Sequence, residues 1–195
     1  VAAGLKDSAG AAAEKRLPAY FARLSARAQR IYLKSDAIEH FDFAISGAAR
    51  ESTNALMRAL ESGAPSIVQR QAQGLLDELC RCAALPPLRL QVQSVRPHNA
   101  RGELHGIFYP RGAGRAAANP YQFSPANAGG PLIILWMRTA QRREVVKPKT
   151  FLRTLMHEFG HYLDYALLRL GDSPHSTGFF QRESHLVRII SGAQA

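Results

Sequence analysis

Between Thr150 and His175 the chain reads TFLRTLMHEFGHYLDYALLRLGDSPH, and no other stretch constrains the fold as tightly. Leu152, Leu155, Met156, Phe159, Leu163, Ala166, Leu167 and Leu170 recur at the i, i+3, i+4, i+7 spacing of an amphipathic helix. At about 100° per residue, His157, His161 and Asp164 fall together on the opposite side. A helix of this kind buries its leucines in a core and turns its histidines toward a cleft. Gly171, just past the last apolar turn, is the expected stop.

His157-Glu158-Phe159-Gly160-His161 is an HExxH motif. Histidines four apart on a helix stand one above the other, so both imidazoles can reach one ion. The intervening Glu158 then projects beside the metal, where a carboxylate can take a proton from water. One zinc ion per chain is the expected cofactor. Catalytic zinc takes three protein ligands and leaves a position for water. Two residues downstream can complete the set: His175, fourteen residues after His161, and Glu183, twenty-two after it. Asp164 either accepts the free ring N–H of a ligand or pairs with Arg153 or Arg169.

The HExxH, the histidine fourteen residues on and the aromatic Phe179 beyond it resemble the SprT-like (Spartan-type) zinc metalloprotease domain. That resemblance covers Leu88 to Ile190 and is specific from Leu155 to Phe179. It implies that His157, His161 and His175 are the ligands, that Glu158 is the general base, and that Phe179 packs beneath the site. It implies a minimal gluzincin core and, in Spartan-type members, action on proteins attached to DNA. Many members carry a Cys-rich zinc ribbon after this region, and residues 176–195 contain no cysteine. The string HEFGHYLD is also similar to lethal-factor-like zinc peptidases, in which a later Glu is the third ligand. Glu183 stays open as the alternative, although imidazole suits zinc and the local spacing suits His175.

The remainder is expected to build an α+β fold with two regions, 1–85 helical and 86–195 the metalloprotease core. Residues 1–13 are Ala/Gly-rich, and a stripe of Leu17, Tyr20, Phe21, Leu24, Ala28 and Ile31 begins a helical layer. Helices are expected over Asp36–Arg50, capped by Ser35 or Asp36, over Ser52–Glu61, and over Ser66–Ala84. After Pro86-Pro87, the alternation of Leu88, Leu90, Val92 and Val95 marks a strand, Glu103–Tyr109 a second, and LIILWM (Leu132–Met137) a third. A small, mostly antiparallel three-stranded sheet packed on the HExxH helix and a following helix is the expected core. By the resemblance, Leu132–Met137 is the edge strand to which a peptide adds, which makes Leu135 and Trp136 substrate contacts. The intervening Pro110–Gly130 loop, with Tyr121 and Phe123, is long enough to suggest a lid.

Net charge is +10, from 25 Lys and Arg against 15 Asp and Glu. A surface of that sign favours nucleic acid, anionic membranes or acidic proteins. Arg16, Arg23, Arg27, Arg30 and Lys34 line one helix face, and Arg138, Arg142, Arg143, Lys147, Lys149 and Arg153 cluster before the HExxH. The expected partners are a protein or peptide substrate and nucleic acid through these arginines. The rival class is a basic nucleic-acid-associated protein with a structural zinc. No run of eighteen apolar residues appears, which excludes a spanning helix. Cys80 and Cys82, two apart on an expected helix, point in different directions, as ordinary thiols of a reducing compartment would. A cytoplasmic setting is expected; removal of an export signal is the other reading.

Overall fold

An apolar run with no polar alternation needs cover on both faces, and Leu132–Arg138 (β5) has it. The computed structural model describes residues 17–100, 102–110 and 130–192. In it the element order is α1 (Ala26–Asp36), α2 (Gly47–Ser62), α3 (Pro65–Cys82), β1 (Arg89–Val95), β2 (His98–Asn99), β3 (Gly102–Glu103), β4 (Gly106–Tyr109), β5, α4 (Pro148–Ala166) and α5 (Thr177–Ile190). β5 is the middle strand of a three-stranded sheet ordered β1-β5-β4. Ile133, Leu135 and Met137 enter the main core with the helices, whereas Leu132, Ile134 and Trp136 pack with Tyr109 on the other face.

The sheet is mixed rather than mostly antiparallel. β1 runs parallel to β5, with Leu90 opposite Ile133, and β4 runs antiparallel to it, with Ile107 opposite Ile134. Period-two patterning reports which face of a strand is buried but is silent about which neighbour it pairs with and in which direction. The expected second strand also divides. Glu103 pairs back onto His98 in a two-strand ribbon, and Gly106–Tyr109 turns onto β5.

The helical layer departs from expectation after its first helix: α1 ends at Asp36, and in place of separate helices over Asp36–Arg50 and Ser52–Glu61 a single helix, α2, starts eleven residues later at Gly47, behind Ser46, whose hydroxyl accepts the Ala49 N–H. Ser46, not Ser35 or Asp36, is therefore the cap of that helix. Asp36 is used elsewhere, accepting the Gly178 N–H at 2.9 Å. Gly63 closes α2 in the left-handed region at φ 65°, and Pro65 opens α3. Leu56, Leu60, Leu75 and Leu79 of α2 and α3 share one core with Ile133, Leu155 and Phe159, so the helical layer and the sheet are packed together. Cys80 and Cys82 are free thiols. Residues 1–13 and the segment 111–129, with Tyr121 and Phe123, lie outside the described residues. Among the described residues no helix is long and apolar enough to cross a membrane.

Candidate metal centre

α4 is two-faced as its spacing requires. Phe151, Leu152, Leu155, Met156, Phe159 and Leu163 are buried in the core, while His157 and His161 are half-buried along the opposite side. The chain leaves the helix earlier than Gly171, turning at Arg169 with φ 55°, and Leu170 N–H returns to the Asp164 carbonyl at 2.9 Å. This reversal brings the following segment back over the histidine face. His175 lies at its end, just before Ser176, whose side chain caps α5 by accepting the Phe179 N–H.

Three imidazole nitrogens converge as a result. Nε2 of His157 and of His161 are 3.3 Å apart, and Nε2 of His175 is 3.1 Å from the first and 3.2 Å from the second. Zinc–nitrogen bonds of about 2.0–2.1 Å in a tetrahedral site place neighbouring ligand atoms roughly 3.3 Å apart, so the donor set and its spacing fit that ion. His157, His161 and His175 form a group able to hold a metal. Phe179 closes the floor: its ring is stacked on His161 at 4.6 Å and meets His157 edge-on at 5.1 Å and His175 at 5.2 Å.

The far side of each α4 ring is held. His157 Nδ1 lies 2.9 Å from Glu183 Oε2, and Glu183 Oε1 accepts from Arg153 Nε at 2.8 Å. His161 Nδ1 lies 2.7 Å from Ser173 Oγ, and that hydroxyl donates to Asp164 Oδ2 at 2.8 Å. A serine whose single proton goes to a carboxylate can only accept from the ring. His161 therefore carries its proton on Nδ1 and presents a bare Nε2 to its neighbours, the tautomer that a metal ligand needs.

Burial and neighbours divide the titrations. Burial disfavours the charged form of His157, but the hydrogen bond to Glu183 and the charges of Glu158 and Glu183 outweigh it and the result is upward. Burial, with His157 and His175 adding to it, pushes His161 down to about 3. His175 is also lowered, by burial first and then by His157. In the metal-free cluster His157 is thus the histidine that takes up a proton most readily. Glu158 is only 6 % exposed, and burial raises its carboxyl to about 7 against the pull of His157.

Two open depressions of about 460 and 340 Å³ share Gly106, His157 and Glu158 in their walls. One is lined by Glu103, His105, Thr150 and Arg153, the other by Phe108, Tyr165, Asp172 and His175. Together they make a cleft running past the triad along β4. Gly106 is the point of closest approach. A Cβ there would lie 2.7 Å from Glu158 Oε1 and 2.8 Å from Thr154 Cγ2.

The structure thus brings together His157, Glu158, His161 and His175. Glu183 stands behind His157, not among the converging nitrogens, because both of its oxygens are engaged elsewhere. Asp164 reaches His161 only through Ser173, and its direct partner is Arg182 at 2.9 Å rather than Arg153 or Arg169. Leu135 and Trp136 are corrected from substrate contacts to core residues: they are 0 % and 7 % exposed in the central strand. The edge beside the cleft belongs to β4. Tyr162 donates to the Pro86 carbonyl, His185 lies in a separate depression with His40, and Tyr165 faces the cleft. Ser173, Arg182 and Gly106 had no local signal in the sequence, since each acquires its role from a partner distant along the chain. No known protein family, curated protein or solved structure matches the chain.

Proposed function

We propose that this protein is a zinc-dependent endopeptidase of SprT-like type, with His157, His161 and His175 holding one zinc ion and Glu158 acting as general base. The observation that carries this reading is the convergence of three Nε2 atoms at 3.1–3.3 Å beside a buried carboxyl on an open cleft. When bound, the ion supplies Lewis-acid chemistry, activating water and polarising a carbonyl.

The chain's own groups supply the rest. Glu158 takes a proton from the attacking water and returns it to the leaving nitrogen; burial raises its carboxyl in the metal-free chain, which strengthens it as a base. Glu183 and Ser173 hold the ligand rings in their metal-accepting tautomers. β4 has a single sheet partner among the described residues, so its other edge can pair with an extended peptide. Gly106 keeps that edge close to Glu158. Tyr165 lines the cleft and donates its hydroxyl to Asp172 Oδ1 at 3.5 Å, and a turn of that O–H would offer it to a developing oxyanion.

Metal quantification beside a protease assay tests this reading. Purified protein should carry about one zinc per chain, lost in His175→Ala and kept in Glu183→Ala. Glu158→Gln should keep the zinc and lose proteolysis by about 10²–10⁴-fold. Zinc-free protein, or proteolysis indifferent to Glu158→Gln, would end it. Salt-dependent DNA binding with zinc present and no cleavage in any condition would transfer the chain to the structural-zinc class.

A further inference from the structure

Among the described residues the largest fully buried side chain is a cation, Arg182, at 1 % exposure on α5. Its guanidinium lies between the rings of Phe41 at 5.5 Å and Phe179 at 5.9 Å. Nη1 donates to the carbonyls of Ser35 at 2.6 Å and Ile38 at 2.5 Å; Nη2 donates to Ser35 Oγ at 2.9 Å and to both Asp164 oxygens at 2.9 and 3.2 Å. Five contacts, two of them to backbone carbonyls at the end of α1, need the planar fork of arginine. A buried charge of this kind is retained only where it is paired, and the pairing here leads to the triad. From Asp164 the chain of hydrogen bonds continues through Ser173 to His161 Nδ1. On the other side, Ser35 Oγ meets Ser176 Oγ at 3.1 Å, next to His175. The end of α1 also presses on α5: a Cβ at Gly178 would meet the Ser35 carbonyl oxygen at 2.5 Å.

We infer that Arg182 is a positioning residue for the metal centre: through Asp164 and Ser173 it fixes the orientation and tautomer of His161, and through Ser35 and Ser176 it ties the His175 segment to the end of α1. The inference rests on the zinc reading above. Arg182 touches neither ion nor substrate, and its effect is on how firmly the three nitrogens are held together.

A double-mutant cycle on zinc affinity tests it, with the dissociation constant measured by chelator competition and the visible spectrum of the cobalt-substituted protein as a second readout. The lesions are Arg182→Lys, which keeps the charge but not the fork, and Ser173→Ala, which cuts the link to His161. Asp164→Asn takes the place of Arg182→Lys in the cycle if the latter does not fold. Ser173→Ala should weaken zinc about 10–100-fold, with unfolding of the metal-free protein little changed, and Ser173→Thr should restore affinity. Arg182→Lys should weaken zinc at least comparably in the parent and by a smaller factor in the Ser173→Ala background, because one of its two paths is already cut. Losses that simply multiply, or wild-type zinc affinity in folded Ser173→Ala, overturn the inference. A parent protein that binds no zinc fails the reading beneath it, an outcome distinct from either.

Discussion

Replacing Glu158 by Gln in metal-free protein should remove a pH dependence of folding. The carboxyl is 6 % exposed, and burial moves it from an ordinary 4.5 to about 7. Below pH 4.5 the group is protonated in both the folded and unfolded chains and contributes no pH dependence. As pH rises from there toward 7, the unfolded chain loses the proton while the folded chain keeps it. The folded state binds more protons, so stability falls with rising pH and the loss is complete above about 7. The gap between 4.5 and about 7 corresponds to about 3 kcal/mol at full extent. Glutamine has the same shape and no charge to bury. Urea unfolding of chelator-treated wild type and Glu158→Gln from pH 5 to pH 9 should therefore give stabilities that diverge with pH, the variant gaining by about 3 kcal/mol near pH 8. Glu158 is one of the charges that raise His157, so the titration of that histidine also shifts in the variant. Zinc should shrink the difference, since a nearby cation favours the carboxylate. Parallel curves across pH 5–8 would show that Glu158 is not held protonated by burial, and its strengthening as a base would lose its physical ground.

Three further outcomes follow from the same geometry. Gly106→Ala should push the Glu158 carboxylate aside and reduce kcat on the order of 100-fold with zinc content unchanged; activity within a few-fold of wild type would mean β4 does not constrain the base. Leu135→Ala should destabilise the fold by about 2–5 kcal/mol as a core cavity, with KM for peptide substrates unaltered once the protein is folded; a selective rise in KM would restore β5 to the substrate cleft. Zinc uptake should release protons, more at pH 6 than at pH 8, because His157 and Glu158 are both raised and a ligand nitrogen must be bare to bind. Calorimetry in buffers of different ionisation enthalpy reads that number, and pH-independent release would contradict the proton placement on the cluster.

The buried polar groups around the centre tie the end of α1 to α4 and α5. Ser35, Asp36, Asp164, Ser176, Arg182 and Glu183 are at most 8 % exposed. Each is bonded to another of the set, to a ligand ring or to backbone. Groups of this polarity are costly to bury unless so satisfied. A lesion in any of them leaves a partner buried and unpaired, which makes conservative changes such as Ser173→Thr more informative than truncations.

What the sequence determined by itself lies within single elements. Helical period places His157 and His161 on one face and the leucines on the other, because both follow from one local geometry of 3.6 residues per turn. LIILWM marked a strand by its unbroken apolar run, another property of a single element. His175 was legible by its spacing from His161 and by resemblance, since the turn that carries it back is short. The tertiary structure alone decided that LIILWM is the middle strand and β4 the edge, because strand partners are chosen by packing and not by pattern. It alone decided that Glu183 backs His157 instead of joining the nitrogens, and that Arg182 spans the 147 residues between itself and Ser35. Contacts of that separation arise only when the core has closed, and a buried charge reveals its purpose only through the partners that closure supplies.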